Sequence, residues 1–379
     1  MKRILIFPLS YYPYVSGAEI AIKEITGRIS PEEVEFHMVT MRFSADDARE
    51  ERIGNVMVYR VGCGGSYLSK ILYVPRSVLL ARKLHKRANF DALWAMMTYM
   101  TFPITLLRMV GVKLPYVLTL QDGDPFEHVF NRTHIRPFKF LLNSGFRNAT
   151  VIQVISNYLA TWVKEFGYRG SLEVIPNGVD VKKFSGSLIA HENIVLVHTG
   201  RLVYKNALDD VIRALVHLPS NIHFLLIGSG IEESRLKELA HRLGAQNRMK
   251  FMGNIPNDDL PKHLHTSDIF IRPSRTEGMG ISFLEAMAAG IPIIATQEGG
   301  IADFLFDAKR NPDKAPTGFA VDKNSPQQIA EMVEYILANN AEVEKVVENA
   351  KKVIAEKYDW DLIAKEMKVK VFDKLLQNP

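Results

Sequence analysis

Short apolar runs rich in β-branched side chains alternate with segments of helical period along nearly the whole chain. Residues 4–8, 36–40, 56–60, 92–96, 116–120, 151–155 and 172–175 read as strands in the first half, and 194–199, 223–227, 249–251, 269–271 and 291–295 in the second. Residues 208–218, 232–243 and 325–339 carry apolar positions at the spacing of amphipathic helices. Near-continuous apolar strands separated by helices predict parallel sheets covered on both faces, an α/β fold.

Two such sheets in series predict two domains. The break falls near residues 177–190, where Ile175-Pro176-Asn177-Gly178 closes the first run of strands and Ser185-Gly186-Ser187 follows. The first domain is expected over 1–180 and the second over 181–358. A last helix, about 359–379, is able to cap either, including by packing back on the first.

Composition agrees with two globular domains: 379 residues, 47% hydrophobic and 23% charged. The single cysteine, Cys63, excludes an internal disulfide and suits a reducing, cytoplasmic compartment. The opening Met1-Lys2-Arg3 with its short apolar run reads as a buried strand rather than a secretory leader. Residues 95–107 are broken by Pro103 and fall short of the ~20 residues that cross a bilayer.

Charge is uneven. The net +5 comes from residues 1–180, with 22 basic and 16 acidic side chains, while 181–379 carry 25 and 26. Between residues 60 and 113 nine Lys and Arg face one acidic residue, Asp91. Within this stretch, 67–87 interleaves Leu68, Ile71, Leu72, Val78, Leu79 and Leu84 with Arg76, Arg82, Lys83, Lys86 and Arg87, and Pro75 divides it. Such a segment either packs its apolar face on the sheet or lies on an anionic membrane, which places the protein peripherally at the inner membrane face. No recognition motif or aromatic platform accompanies the charge, so nucleic acid is not an expected partner.

The most informative segment is Pro273-Ser274-Arg275-Thr276-Glu277-Gly278-Met279-Gly280-Ile281-Ser282-Phe283-Leu284-Glu285-Ala286-Met287-Ala288-Ala289-Gly290-Ile291-Pro292. It leaves a strand, turns through glycines and opens a helix near Ser282. The first amides of that helix lack internal partners and its dipole favours an anion. Gly278 and Gly280 let the backbone approach a phosphate closely, with Met279 and Ile281 in the same loop. Glu285 lies one turn into the helix, within reach of a ribose diol, and Glu277 on the loop can accept hydrogen bonds from sugar hydroxyls.

This segment resembles family 4 of the glycosyltransferases, whose hallmark is two glutamates in an EG(F/M)G…LEAMA-G-P stretch, here Glu277 and Glu285 followed by Thr296 and Gly299-Gly300. The resemblance implies the GT-B architecture, two Rossmann-like domains facing an interdomain cleft. It also implies retaining transfer of a hexose from a GDP- or UDP-sugar to a glycan, lipid-linked or small-molecule acceptor.

Further residues carry the resemblance. Gly200-Arg201-Leu202-Val203-Tyr204-Lys205 is similar to the family's diphosphate-gripping GRL…K element, with Arg201 and Lys205 four apart instead of the usual five. Gly228-Ser229-Gly230 is similar to the turn beside the nucleotide, and Phe251–Ile255, with Asn254 and Ile255, to the segment meeting the base. Ser16-Gly17 stands where the family has a glycine pair, leaving Gly17 as the matching position. Gln121-Asp122 replaces the family's usual His-Asp. Gln121 is expected on the donor sugar, and Asp122 as the proton acceptor or a sugar contact.

Asp122-Gly123-Asp124 also matches the Asp-x-Asp pattern with which a different glycosyltransferase fold holds a divalent metal. It lies in the half opposite the donor motif, in a turn ending at Pro125. Arg201 and Lys205 would do a metal's electrostatic work, so neither metal nor other cofactor is expected. An epimerase of the same fold, and a nucleotide-sugar-binding protein without turnover, are the competing readings.

Overall fold

A computed structural model describes residues 1–377. Asn378 and Pro379, the end of the expected last helix, lie outside the described residues. The chain divides into two units: Met1–Asn177 together with the segment from Trp360 onward, and Gly178–Asp359.

The first unit is built on eight strands: β1 (Lys2–Phe7), β2 (Val34–Met41), β3 (Glu50–Ile53), β4 (Val56–Val61), β5 (Ala92–Met96), β6 (Tyr116–Leu120), β7 (Val151–Val154) and β8 (Ser171–Val174). Their order is β3-β4-β2-β1-β5-β6-β7-β8. Every pair is parallel except β3 and β4. β3 escapes the apolar pattern because its sequence, Glu-Glu-Arg-Ile, is polar and its positions alternate between exposed and half-buried. A charged strand of this kind protects a sheet edge from pairing with another chain.

The terminal segment packs on this sheet. Phe372 sets its ring edge-on against Phe36 and Trp94, at centroid separations of 5.8 and 5.1 Å. Helix Trp360–Glu366, a π-helical stretch Met367–Phe372 and helix Asp373–Gln377 take the place of one uniform helix.

Residues 67–88 correct an expectation, because Pro75 does not divide them. A single helix, Tyr67–Ala88, runs through the proline. Pro75 is exposed, and the helix carbonyl it leaves unbonded belongs to Ile71, also exposed. The opposite side is held by buried Tyr73, Val78, Ala81 and Leu84. The Tyr73 hydroxyl donates to either Pro8 O or Val39 O, at 3.0 and 2.8 Å, tying the helix to the sheet.

The second unit has six parallel strands: β9 (Ile194–Thr199), β10 (Ile222–Ile227), β11 (Met249–Gly253), β12 (Ile269–Arg272), β13 (Ile293–Ala295) and β14 (Phe319–Ala320). Their order is β11-β10-β9-β12-β13-β14. β13 starts later than its apolar run because Pro292 has no N–H to give, and its carbonyl accepts from Phe270 N instead. Leu208, Val211, Ile212 and Leu215 of helix Leu208–Leu215 pack into one core with Leu196, Phe224 and Leu226. The chain winds outward from β9 to β11, then crosses back to lay β12 on the other side of β9. Such a switch point opens a ligand crevice at the carboxyl ends of the strands flanking it.

Candidate functional site

The loops at the carboxyl ends of β9, β10, β11 and β12 bring together the second unit's expected site residues. β9 ends at Thr199, and Gly200 and then Arg201 follow, the latter exposed to solvent. Leu202 is fully buried and anchors the loop. Asn206 Nδ2 donates to Arg201 O at 2.7 Å and folds the chain into the turn Tyr204–Asn206, which carries Lys205. After β10, a methyl group on Gly230 would stand 2.1 Å from the Leu202 carbonyl, so only glycine allows this approach. Ser229 Oγ donates to Asn254 Oδ1 at 3.0 Å, joining the β10 loop to the one after β11, where Ile255 is half-buried.

The β12 loop is pinned from several sides. Gly280 sits at φ +87°, and a side chain there would strike the Phe283 ring and the Arg272 guanidinium. From Gly280 the chain enters helix Ile281–Ala289 without a side-chain cap, leaving the amino end to the backbone amides. Gly300 N donates to Glu277 O at 3.0 Å. Arg275 binds Asp209 and Asp210, each at 3.0 Å, and donates to the Tyr204 carbonyl at 2.7 Å. The Arg275 amide donates to the Lys205 carbonyl at 2.7 Å. Arg275 thereby locks the Lys205 turn to the Glu277 loop.

Glu277 is buried. Its Oε1 accepts the Gly278 amide at 3.0 Å and faces Lys205 Nζ at 3.9 Å, and its Oε2 accepts from Arg272. Burial alone would raise its pKa, but Arg272, Lys205, the Gly278 amide and Arg201 together hold it below the ordinary glutamate value. Glu285, one turn into the helix, is equally buried and makes no ion pair within 4.0 Å among the described residues. Burial raises its pKa to about 7, against a smaller opposing pull from Lys183 and a hydrogen bond with Asn257. One glutamate is thus a fixed anion and the other exchanges its proton near neutrality.

Two further residues, which no local sequence motif marks, belong to this arrangement. Arg272, the last residue of β12, is 5% exposed and carries Glu277. A charge ending an otherwise apolar strand needs a partner when buried, and that was the available signal. His198, near the end of β9, is fully buried, and burial followed by Arg272 lowers its pKa well below the usual value, keeping the ring neutral.

The first unit places its expected residues at the ends of β1 and β6. Gly17 opens helix Gly17–Gly27 behind Ser16. The buried Glu19 carboxylate accepts the Ser16 amide at 2.8 Å and the Ser10 hydroxyl at 2.6 Å. Gln121 and Asn177 exchange reciprocal amide hydrogen bonds, both 3.1 Å. Asp122 is buried and accepts from the Thr98 hydroxyl at 2.7 Å. Burial raises its pKa, with the Thr98 contacts partly opposing. Thr98 is presented by Met97 at φ 76°, ψ 157°, a strained conformation for a residue with a side chain.

Among the described residues no group of three or more His, Cys, Asp or Glu is placed to hold a metal ion. A concavity of about 500 Å³, lined among others by His223, Arg248, Lys250 and His263, lies toward the amino ends of β9–β11 and touches none of the residues above.

The family described as glycosyl transferases group 1 matches residues 180–353, and the one described as glycosyltransferase family 4 matches 15–183. An uncharacterized glycosyltransferase of Methanocaldococcus jannaschii is 31% identical over 210 residues, covering 52% of each chain. A GDP-mannose-dependent alpha-(1-6)-phosphatidylinositol monomannoside mannosyltransferase of Mycobacterium tuberculosis is 29% identical over 238 residues, 57% of this chain and 60% of that one. The chain thus spans between half and three-fifths of the length of these two relatives. Among solved structures, sucrose-phosphate synthase from Thermosynechococcus elongatus superposes with a TM-score of 0.87 over 100% of both chains at 17% identity. That likeness shows the fold, the GT-B pairing of two α/β domains.

Proposed function

This chain belongs to family 4 of the glycosyltransferases, and from that premise we propose that it moves a hexose from a nucleoside diphosphate sugar to an acceptor hydroxyl, with retention at the anomeric carbon. The observation that carries the reading is the β12 loop. A buried, ionised Glu277 stands beside Lys205, near exposed Arg201, at the uncapped start of helix Ile281–Ala289.

In this reading Arg201 and Lys205 neutralise the diphosphate as its bond to the sugar breaks, where negative charge develops. Gly278, Met279, Gly280 and Ile281 offer backbone to the phosphates, and Gly17 offers the start of its own helix. Glu277 holds sugar hydroxyls, Glu285 accepts from the ribose, and Gly230, Asn254 and Ile255 border the base. The acceptor hydroxyl attacks the anomeric carbon on the face the diphosphate leaves. Its proton passes to a donor phosphate oxygen or to Asp122, and Gln121 contacts the sugar. No metal takes part, because cationic side chains supply the positive charge.

GDP-mannose, the donor in the name of the mycobacterial relative, and a UDP-hexose are the two donor classes. The acceptor is a glycan or a lipid-linked sugar. Helix Tyr67–Ala88 exposes Tyr67, Leu68, Ile71, Leu72 and Leu79 beside Lys70, Arg76, Arg82, Lys83, Lys86 and Arg87, with no acidic residue along its length. This composition suits peripheral contact with an anionic cytoplasmic leaflet. No helix among the described residues is long and apolar enough to cross a membrane.

A panel of nucleotide sugars screened by thermal shift tests the donor site. A ligand at 100 times its dissociation constant should add about 2.7 kcal/mol of stability. NMR of the product tests the stereochemistry, and an inverted anomeric centre would reject retention.

A further inference from the structure

β12 ends on a charge where the rest of the strand is apolar. Ile269, Phe270 and Ile271 are fully buried, and Arg272 is buried with them. A guanidinium removed from water is costly unless its N–H groups are met. Here they are met by one short stretch of chain. Nη1 donates to Ser282 Oγ at 2.7 Å, Nε to Ser274 Oγ at 3.2 Å, and Nη2 to Glu277 Oε2. The guanidinium carbon also stands 4.4 Å from the centre of the Phe283 ring. Arg272 thus binds both flanks of the loop and the carboxylate at its middle, while neutral His198 adds no second charge to that wall.

We propose that Arg272 is a positioning residue for sugar recognition: it occupies one carboxylate oxygen of Glu277 and so aims the other, with its charge fixed, at the donor's sugar hydroxyls. The inference rests on the donor reading above and adds to it the group that makes Glu277 selective for the sugar rather than for the nucleotide. Each carboxylate oxygen has about two acceptor positions. Oε1 gives one to the Gly278 amide and keeps one for a ligand hydroxyl. Without Arg272, buried Glu277 would keep only the Gly278 amide and the pull of Lys205, 3.9 Å away, and of Arg201, and would turn or take up a proton at higher pH. Turning takes the acceptor position away from the sugar, and protonation leaves an uncharged and weaker acceptor.

The test is calorimetric binding of GDP, GDP-mannose, UDP and UDP-glucose between pH 5 and 8. The proteins are the parent, Arg272→Met, Arg272→Lys, Glu277→Gln and the double variant R272M/E277Q. For the pair that the parent binds, Arg272→Met should keep bare-nucleotide affinity within about threefold. The ratio of sugar-nucleotide to bare-nucleotide affinity should fall about tenfold, equivalent to ~1.4 kcal/mol. The acid limb of that ratio, in which the Glu285 contribution common to both ligands cancels, should move to higher pH, and Arg272→Lys should recover part of both effects. Because Arg272 acts through Glu277, the double variant should bind no worse than Glu277→Gln alone.

An unchanged ratio and acid limb in Arg272→Met, or losses that multiply in the double variant, would overturn the inference while leaving the donor site standing. Equal loss of bare nucleotide in both Arg272 variants would assign Arg272 to the fold instead. A parent that binds none of the four ligands removes the donor reading, and this inference with it.

Discussion

The two units handle polar chemistry in opposite ways. In the second, the charges around the β12 loop are answered by other charges, Arg272 with Glu277, Glu277 with Lys205, and Arg275 with Asp209 and Asp210, while Glu285 is buried apart from them. In the first, the candidate groups are an amide pair, Gln121 with Asn177, and one carboxylate held by a hydroxyl, Asp122 with Thr98. The first unit's excess charge stands outside, on helix Tyr67–Ala88. Buried ion pairs cost desolvation and in return fix geometry. A neutral amide pair costs less and fixes less. The charged groups of the second unit are therefore held in a fixed geometry, and the amide pair of the first is freer to rearrange.

Substitutions in the two units should separate these roles. The largest effect is expected from Arg201→Ala, which removes the exposed cation proposed to neutralise the leaving diphosphate. Steady-state kinetics should show kcat/KM falling about 10²–10³-fold with an unchanged melting temperature. An effect under threefold would detach Arg201 from the phosphate.

In the first unit, Asp122→Asn keeps the Thr98 contact but cannot take a proton. A kcat reduced about 10²-fold with donor affinity intact would mark Asp122 as the proton acceptor. Equal loss of donor binding would erase the contrast between the units.

Glu285 sharpens the comparison through pH. Its pKa in the fold, about 7, lies above the ordinary value of 4.5. The folded chain therefore holds a proton that the unfolded chain has released between those values. Stability from this group is present below pH 4.5 and is lost as pH rises through 7. Glu285→Gln should stabilise the unliganded protein at pH 8 by about 2–3 kcal/mol and leave it little changed near pH 4.5. Donor affinity should behave in the opposite sense. Ribose hydroxyls need the ionised carboxylate, so the parent should bind donor more weakly below pH 7, and the variant should bind it weakly throughout. Melting curves and titrations across pH 5–8 read both.

The smallest effect per substitution belongs to the surface helix. Each of Arg82→Glu, Lys83→Glu and Lys86→Glu should weaken binding to phosphatidylserine vesicles by about 1 kcal/mol or somewhat more, with bulk donor kinetics unchanged. Co-sedimentation at low and high salt checks this, and salt-independent binding would exclude the electrostatic account.

Much of this molecule is legible in its sequence, for a physical reason. Parallel strands buried on both faces must be apolar, so β5, β6 and β9 match their runs residue for residue. Polar edges and very short strands leave no such trace, which hides β3 and β14. Pro75 misleads because a proline's cost depends on whether the carbonyl it orphans reaches water, and that is a tertiary property. Glu277, Glu285, Arg201 and Lys205 are readable because glycines and a helix start surround them in a recognisable order. Arg272 and His198 are not, because their importance comes from burial and from what lies across the loop. Gln121 is read as a ligand group and found paired with Asn177, a partner 56 residues away that local pattern does not reveal.

The most direct test of sugar transfer is acceptor-dependent release of nucleoside diphosphate. The protein would be given GDP-mannose or UDP-glucose, with and without phosphatidylinositol-linked mannoside or free mannose oligosaccharides, beside Glu277→Gln as control. The account predicts release that rises with acceptor and collapses in the variant. Donor bound tightly but never cleaved, or isomerised without any acceptor, would contradict it.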